Sequence, residues 1–149
     1  MQDTSCQIAP DKAPLGMLIV HARRHLKQVL WSRLSKHGLT PPQFWILMVL
    51  REHGPMSLHE VASRICSDDP TTSRVIRTLQ EKDLVESLPD PGHGRRIRLS
   101  LSSQGGKLAP QLKRLLDQLR KDLENCLDEQ EERILRQALA KIITRLPIA

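Results

Sequence analysis

The chain has 149 residues, a length that suits one domain and lets folding bury roughly two thirds of the surface its unfolded form exposes. Only three aromatic residues are present, Trp31, Phe44 and Trp45, so the core must be aliphatic, and the count argues against a stacking platform for single-stranded bases. The formal charge of +6 favours an anionic partner, and the three cysteines, Cys6, Cys66 and Cys126, are too few and too scattered for a disulfide framework or a zinc module.

In chain order, residues 1–13 form a polar, proline-containing arm with no signal-peptide pattern. No run of eighteen apolar residues follows, so no membrane partner and a cytoplasmic location are expected. Leu15, Leu18, Ile19, Ala22, Leu26, Val29, Leu30 and Leu34 trace one helical face. The opposite face carries Arg23, Arg24, Lys27, Arg33 and Lys36 with no acidic residue, which marks a solvated face or, less simply, a path for flanking DNA phosphates. His21 and His25 stand four apart on this helix, but arginines lie between them and no carboxylate is near, so no metal site is assigned. Gly38 ends the helix. Thr40, Pro41, Pro42 and Gln43 open the next one, which runs to His53 and stops at Gly54-Pro55. Met56 then starts a short strand.

Residues 57–101 organise the rest. Ser57 and Glu60 make a capping box ahead of a helix whose Leu58, Val61, Ala62 and Ile65 face a core. Asp69-Pro70 announces a second helix, with Pro at its first position and with Val75, Ile76 and Leu79 inward. Thr71, Ser73, Arg74, Arg77 and Thr78 fall largely on other faces, the mixture of hydroxyls and guanidinium groups with which a recognition helix meets base edges. Next comes a hairpin: a short run at residues 85–88, turn formers over 89–94, and an alternation that puts Ile97, Leu99 and Leu101 inward and Arg96 and Arg98 outward. A basic wing of this kind fits a phosphate backbone or a minor groove.

Two helices close the chain. Leu108, Leu112, Leu115, Leu116, Leu119, Leu123, Cys126 and Leu127 keep a three-and-four spacing, and Asp128 caps a last helix with Ile134, Leu135, Leu139, Ile142, Ile143 and Leu146 inward. So long a leucine stripe asks for a partner, and a homodimer built from the first helix and the last two is expected; an intrachain hairpin that hides the stripe is the alternative. The expected fold is mainly α with a small β-hairpin wing. It is one unit, with residues 40–101 as a winged helix-turn-helix region and residues 14–37 and 102–147 as long dimerisation helices.

Charge supports DNA binding only through its placement. Residues 57–106 hold seven basic and seven acidic side chains, so the reading region is formally neutral, whereas residues 1–56 hold seven basic and three acidic. No phosphate loop, dinucleotide glycine fingerprint or zinc-hydrolase helix is present, and neither an enzyme nor a cofactor is expected.

The run Pro70-Thr71-Thr72-Ser73-Arg74-Val75-Ile76-Arg77-Thr78-Leu79, the exit Lys82-Asp83-Leu84-Val85, and the wing leading into Leu101-Ser102-Ser103-Gln104-Gly105 resemble the MarR (multiple antibiotic resistance regulator) family of winged-helix transcription factors. Less specifically, the likeness extends from about Leu15 to the C-terminus. It implies a homodimeric regulator of a pseudo-palindromic double-stranded operator, a repressor released by a small-molecule effector. Arg95 would be the wing arginine, joined by Arg96 and Arg98. His93 stands where the family has the Asp that pairs with a wing arginine, and Asp90 is a displaced candidate for that role. Asp83 replaces a usual Gly and Thr72 a usual apolar residue. The resemblance further implies an effector pocket, for which Trp31, Phe44, Trp45 and Met48 are the candidates, with core packing as their simpler role. It also raises thiol-based redox control, for which Cys6 on the arm is the most accessible group. A winged-helix protein-interaction module and a redox- or metal-responsive regulator stay open as alternatives.

Overall fold

The computed structural model describes residues 12–147, and side chains throughout that span other than those of residues 93–95. Helix α1 spans Leu15–Leu34 and tightens into a single 3-10 turn, Ser35–His37; α2 is Pro41–His53, α3 Leu58–Arg64 and α4 Asp69–Glu81. Strands β1 (Val85–Asp90) and β2 (His93–Leu101) pair antiparallel, and α5 (Ser103–Glu124) and α6 (Glu129–Arg145) complete the order. This is the mainly helical fold with a hairpin wing that the periodicities predict.

Each helix from α2 onward starts where a side chain can satisfy the free N–H groups of its first turn. Thr40 with Gln43, Ser57 with Glu60 and Asp128 with Glu131 form reciprocal capping boxes, and the Ser102 hydroxyl accepts from the Gly105 N–H. At α4 the expectation is off by one residue. Asp68, not Asp69, is the cap: its backbone is extended and its carboxylate accepts from the Thr71 N–H at 2.7 Å, so Asp69 and Pro70 are the first two helical residues. Gly38, at φ +61°, turns the chain from α1 toward α2. Asp83, where the family has Gly, takes the left-handed conformation at φ +54° and ends α4, with the Leu84 N–H returning to the Leu79 carbonyl at 2.9 Å.

Leu34, Phe44, Ile46, Leu47, Val61, Leu79 and Leu112 form the centre of one core, drawn from α1 to α5. Gly105 lets α5 close against the α4–β1 junction, since a Cβ there would lie 2.1 Å from the Leu84 carbonyl oxygen. The Met56 backbone exchanges two hydrogen bonds with Leu99, at 3.1 and 2.8 Å, an isolated bridge against a two-stranded wing where a short strand is expected.

Three expectations need correction. β1 does not stop at Leu88, because Pro89 pairs with Ile97 and Asp90 with His93, which moves the turn to Pro91-Gly92. The wing alternation holds only at its base: Leu99 is buried and Leu101 half-buried, but Ile97 is exposed, since the ribbon runs past the edge of the core and leaves it nothing to face. The leucine stripe of α5 also divides. Leu112 and Leu115 are buried within the chain, Leu108, Leu116 and Leu119 pack partly against the core, and Leu123 is exposed. In α6 no residue is buried; Ile142 is half-buried, while Ile134, Leu135, Leu139, Ile143 and Leu146 all face outward in the single chain. At the other end Leu15, Met17, Val20 and Leu26 of α1 are exposed too.

Candidate nucleic-acid interface

The chemistry of α4 follows from how it is seated. Thr72, Ile76 and Leu79, spaced four and three apart, are its buried line, and this turns Thr71, Arg74, Arg77 and Thr78 outward with Ser73 half-buried at the margin. Arg77 makes no hydrogen bond or ion pair among the described residues, and Arg74 only donates from Nε to the Pro70 carbonyl one turn back, at 3.3 Å. Both guanidinium groups therefore keep their outer N–H donors available.

Thr78 differs from the other nominated residues. Its hydroxyl donates to the Val75 carbonyl at 2.7 Å and accepts from Gln43 Nε2 at 2.8 Å, so it is committed within the protein although the residue is exposed.

Ties to both neighbours hold the helix in place. At its N-terminus His59 Nδ1 of α3 meets the Asp69 carboxylate at 3.3 Å, and toward its end Gln80 donates to the Ser87 hydroxyl of β1 at 2.9 Å. Between α4 and the wing lies an open cleft of about 360 Å³, lined by Leu58, Ser73, Ile76, Arg77, Gln80 and Ile97 among others. The exposed Ile97 thus lines the same groove as Arg77.

The wing arginines separate in role. Arg96 is exposed, whereas Arg98 is half-buried at the base, its Nε 3.2 Å from the Asp90 carboxylate and its terminal nitrogen donating to the Pro55 carbonyl at 3.3 Å. The pairing expected of a wing arginine thus falls to Asp90 and Arg98, whose side chain, 43% exposed, is held along the ribbon and not free. The same Asp90 carboxylate accepts from the Gly92 N–H at 2.9 Å, which ties the turn to the ribbon. The Arg95 side chain lies outside the described residues, as does Cys6.

Electrostatics at the two reading helices favour their starts. Hydrogen bonds from the Ser57 backbone and hydroxyl hold the Glu60 carboxyl below its ordinary range, and the Thr71 N–H does the same for Asp68.

The four residues nominated for an effector pocket part company. Phe44 and Met48 are buried core side chains, while Trp31 on α1 and Trp45 on α2 are exposed, with the Trp45 ring edge-on to Phe44 at a centroid distance of 5.0 Å. Cys66 and Cys126 are free and exposed thiols. Among the described residues no three His, Cys, Asp or Glu side chains gather as metal ligands, and no helix is long and apolar enough to cross a membrane.

Sequence reasoning missed Gln43. Its place three residues after Thr40 announces the capping box, but the capping pattern is silent on the second end of the amide, which reaches a residue 35 positions away.

The MarR family model matches residues 39–97, the span from the start of α2 into β2 that contains α3, α4 and most of the wing. A relative named as the HTH-type transcriptional repressor NicR of Pseudomonas putida is 30% identical over 115 residues, covering 70% of this chain and 73% of that protein. Among solved structures, a mutant MarR from E. coli complexed with operator DNA is 26% identical with a TM-score of 0.79, over 89% of this chain and 95% of that one. The S. aureus MepR–DNA complex, 23% identical, shares the fold at a TM-score of 0.82 over 90% of this chain and 97% of that one. With the sequence likeness running through the recognition helix and wing, and the same fold extending over nearly the whole chain, this protein belongs to the MarR family of winged helix-turn-helix transcriptional regulators.

Proposed function

We propose that the protein acts as a homodimer that reads a pseudo-palindromic operator, with α4 of each copy in a major groove and the two half-sites about one helical turn apart. The observation that carries this reading is the outward row of α4. Thr71, Ser73, Arg74 and Arg77 are presented beside a wing whose Arg96 is exposed, on a helix pinned to α3 and β1. Residues 40–101 serve as the reading region. Residues 14–37 and 102–147 supply the dimer contact, which the exposed apolar side chains of α1 and α6 support. Arg95 belongs to the same proposed surface as a minor-groove residue, while Arg98 steadies the wing through Asp90.

Repression is the favoured direction of control, in line with the repressor named among its relatives. A small-molecule effector would release the operator by favouring a dimer whose two recognition helices are wrongly spaced, and it can do so only by its differential affinity for the two shapes. Trp31 and Trp45, exposed on α1 and α2, are the nominated residues open to such a ligand. The protein has a regulatory and not a catalytic role in this reading.

Titration of a selected and a scrambled duplex across a salt series tests the reading. Arg77→Ala should cost about 1–3 kcal/mol on the selected site and much less on the scrambled one, with the melting temperature unchanged. Equal binding of both duplexes by wild type and variant alike would remove α4 from the DNA surface and favour a protein-interaction module.

A further inference from the structure

We propose that Gln43 is a positioning residue for DNA reading, setting the rotation of α4 against the turn that joins α1 to α2 without touching DNA itself. The inference rests on the DNA-binding reading above.

Gln43 is one of three buried polar residues among those described, at 5% exposure, and both ends of its amide are used. Oε1 accepts from the Thr40 N–H at 2.9 Å, and Nε2 donates to the Thr78 hydroxyl at 2.8 Å. The Thr78 proton is itself given to the Val75 carbonyl at 2.7 Å. Turning the amide over would set its oxygen against a hydroxyl oxygen whose proton is already engaged, and its N–H groups against the Thr40 N–H. Only one orientation satisfies the site, so a directional line runs from the cap of α2 into the backbone of α4.

A second tether reaches the same turn. Lys82 Nζ, at the end of α4, donates to the Gly38 carbonyl at 2.5 Å. Residues 38–43 therefore hold the C-terminal half of α4 at two points. The other polar ties between α4 and a neighbouring element, His59 with Asp69 and Gln80 with Ser87, run to α3 and β1 and not to this turn. Thr72, Ile76 and Leu79 set which face of α4 is inward and how deep it sits, and to that non-directional packing the clamp adds a hydrogen bond whose direction narrows the rotation further. Rotation matters to reading. At the outer radius of a helix, about 5–6 Å, a turn of about 10° moves a side chain by about 1 Å, which exceeds the distance range of a base-edge hydrogen bond. Thr78 adjoins Arg77 and lies one turn after Arg74, so the clamp bears on the residues assigned to reading.

The test compares the affinity ratio for a duplex selected by wild-type protein from a random library against a scrambled duplex, together with the salt slope and melting temperature. Gln43→Met keeps the length and removes both hydrogen bonds; Thr78→Val removes only the partner hydroxyl; Thr78→Ser restores it. Each of the first two should shrink the ratio about three- to tenfold with the salt slope unchanged, the double variant should lose no more than either alone, and Thr78→Ser should keep the wild-type ratio. A merely structural cap would lower the melting temperature and leave the ratio of the folded protein intact, and that result overturns the proposal. So does a double variant whose loss is the product of the two single losses. Should Gln43→Met fail to fold, Thr78→Val and Thr78→Ser decide the matter between them. Wild-type protein that binds selected and scrambled duplexes alike overturns the DNA-binding reading itself, an outcome distinct from a discriminating wild type whose variants discriminate equally well.

Discussion

Helices α2 and α6 are both amphipathic and both begin with a reciprocal capping box, yet they end in opposite situations. Of the 13 residues of α2, seven are buried; of the 17 in α6, none is. Burying a large aliphatic side chain contributes about 1.5–3 kcal/mol, and α2 collects that gain several times over from contacts within its own chain. By contrast α6 holds Ile143 at 79% exposure, with Leu146 just past its end at 70%, and its link to α5 is a surface network of Arg136 with Glu132 and Glu124. Exposed ion pairs of this kind contribute about 0–1 kcal/mol each, too little to order a helix. Thus α2 through β2 forms a body complete within one chain, whereas α6 and the start of α1 carry an exposed apolar surface, the one assigned above to the proposed dimer contact.

The sharpest way to break this comparison is to damage each side in turn. Leu112→Ala, in the core, should cost about 2–5 kcal/mol at every protein concentration. Ile143→Glu should instead separate the proposed dimer, giving monomers in sedimentation and a melting temperature that no longer rises with concentration. An Ile143→Glu variant that stays fully dimeric would take the α6 face out of the interface.

A smaller change bears on the complete side alone. Thr72 sits on the buried line of α4 with 0% exposure, and its hydroxyl finds no hydrogen-bond partner among the described residues. Thr72→Val keeps the shape and removes the unpaired group, so it should raise stability by about 1 kcal/mol in denaturant unfolding. A loss of stability would mean that the hydroxyl is satisfied in solution.

The smallest expected effect concerns pH. The Asp68 carboxyl is held below its ordinary range by the Thr71 N–H, so its contribution to α4 is present at neutral pH and fades as pH falls through the carboxylate range. Asn caps nearly as well and carries no charge, so Asp68→Asn should flatten the acid limb of melting temperature against pH, with Glu60 keeping part of it in the same window. An acid limb identical to wild type would exclude Asp68 as a contributor.

How much of this was legible in the residues varies with the range of the interaction. Helices, caps and the wing are local matters. The pairs Thr40 and Gln43, Ser57 and Glu60, and Asp128 and Glu131 each lie three residues apart, and the apolar spacings of α2 and α4 need only the pitch of a helix, so sequence alone determined that these elements form and which face of each is apolar. Which apolar faces meet inside the chain was decided by tertiary structure. Spacing alone does not separate Leu112, buried against α2, from Leu123 three turns on in the same stripe, because the difference is where the core ends. Ile97 was misplaced for the same reason: period two gives a side of the ribbon but not how far the ribbon overhangs. Arg98 was expected to point to solvent and turns out to be held by Asp90 and Pro55, and Thr78 was nominated for reading although its hydroxyl answers to Gln43. Arg98 meets Asp90 across its own hairpin, 8 positions away, but Pro55 lies 43 positions from Arg98 and Gln43 lies 35 from Thr78, and these come near only when the elements pack, a meeting no local pattern encodes.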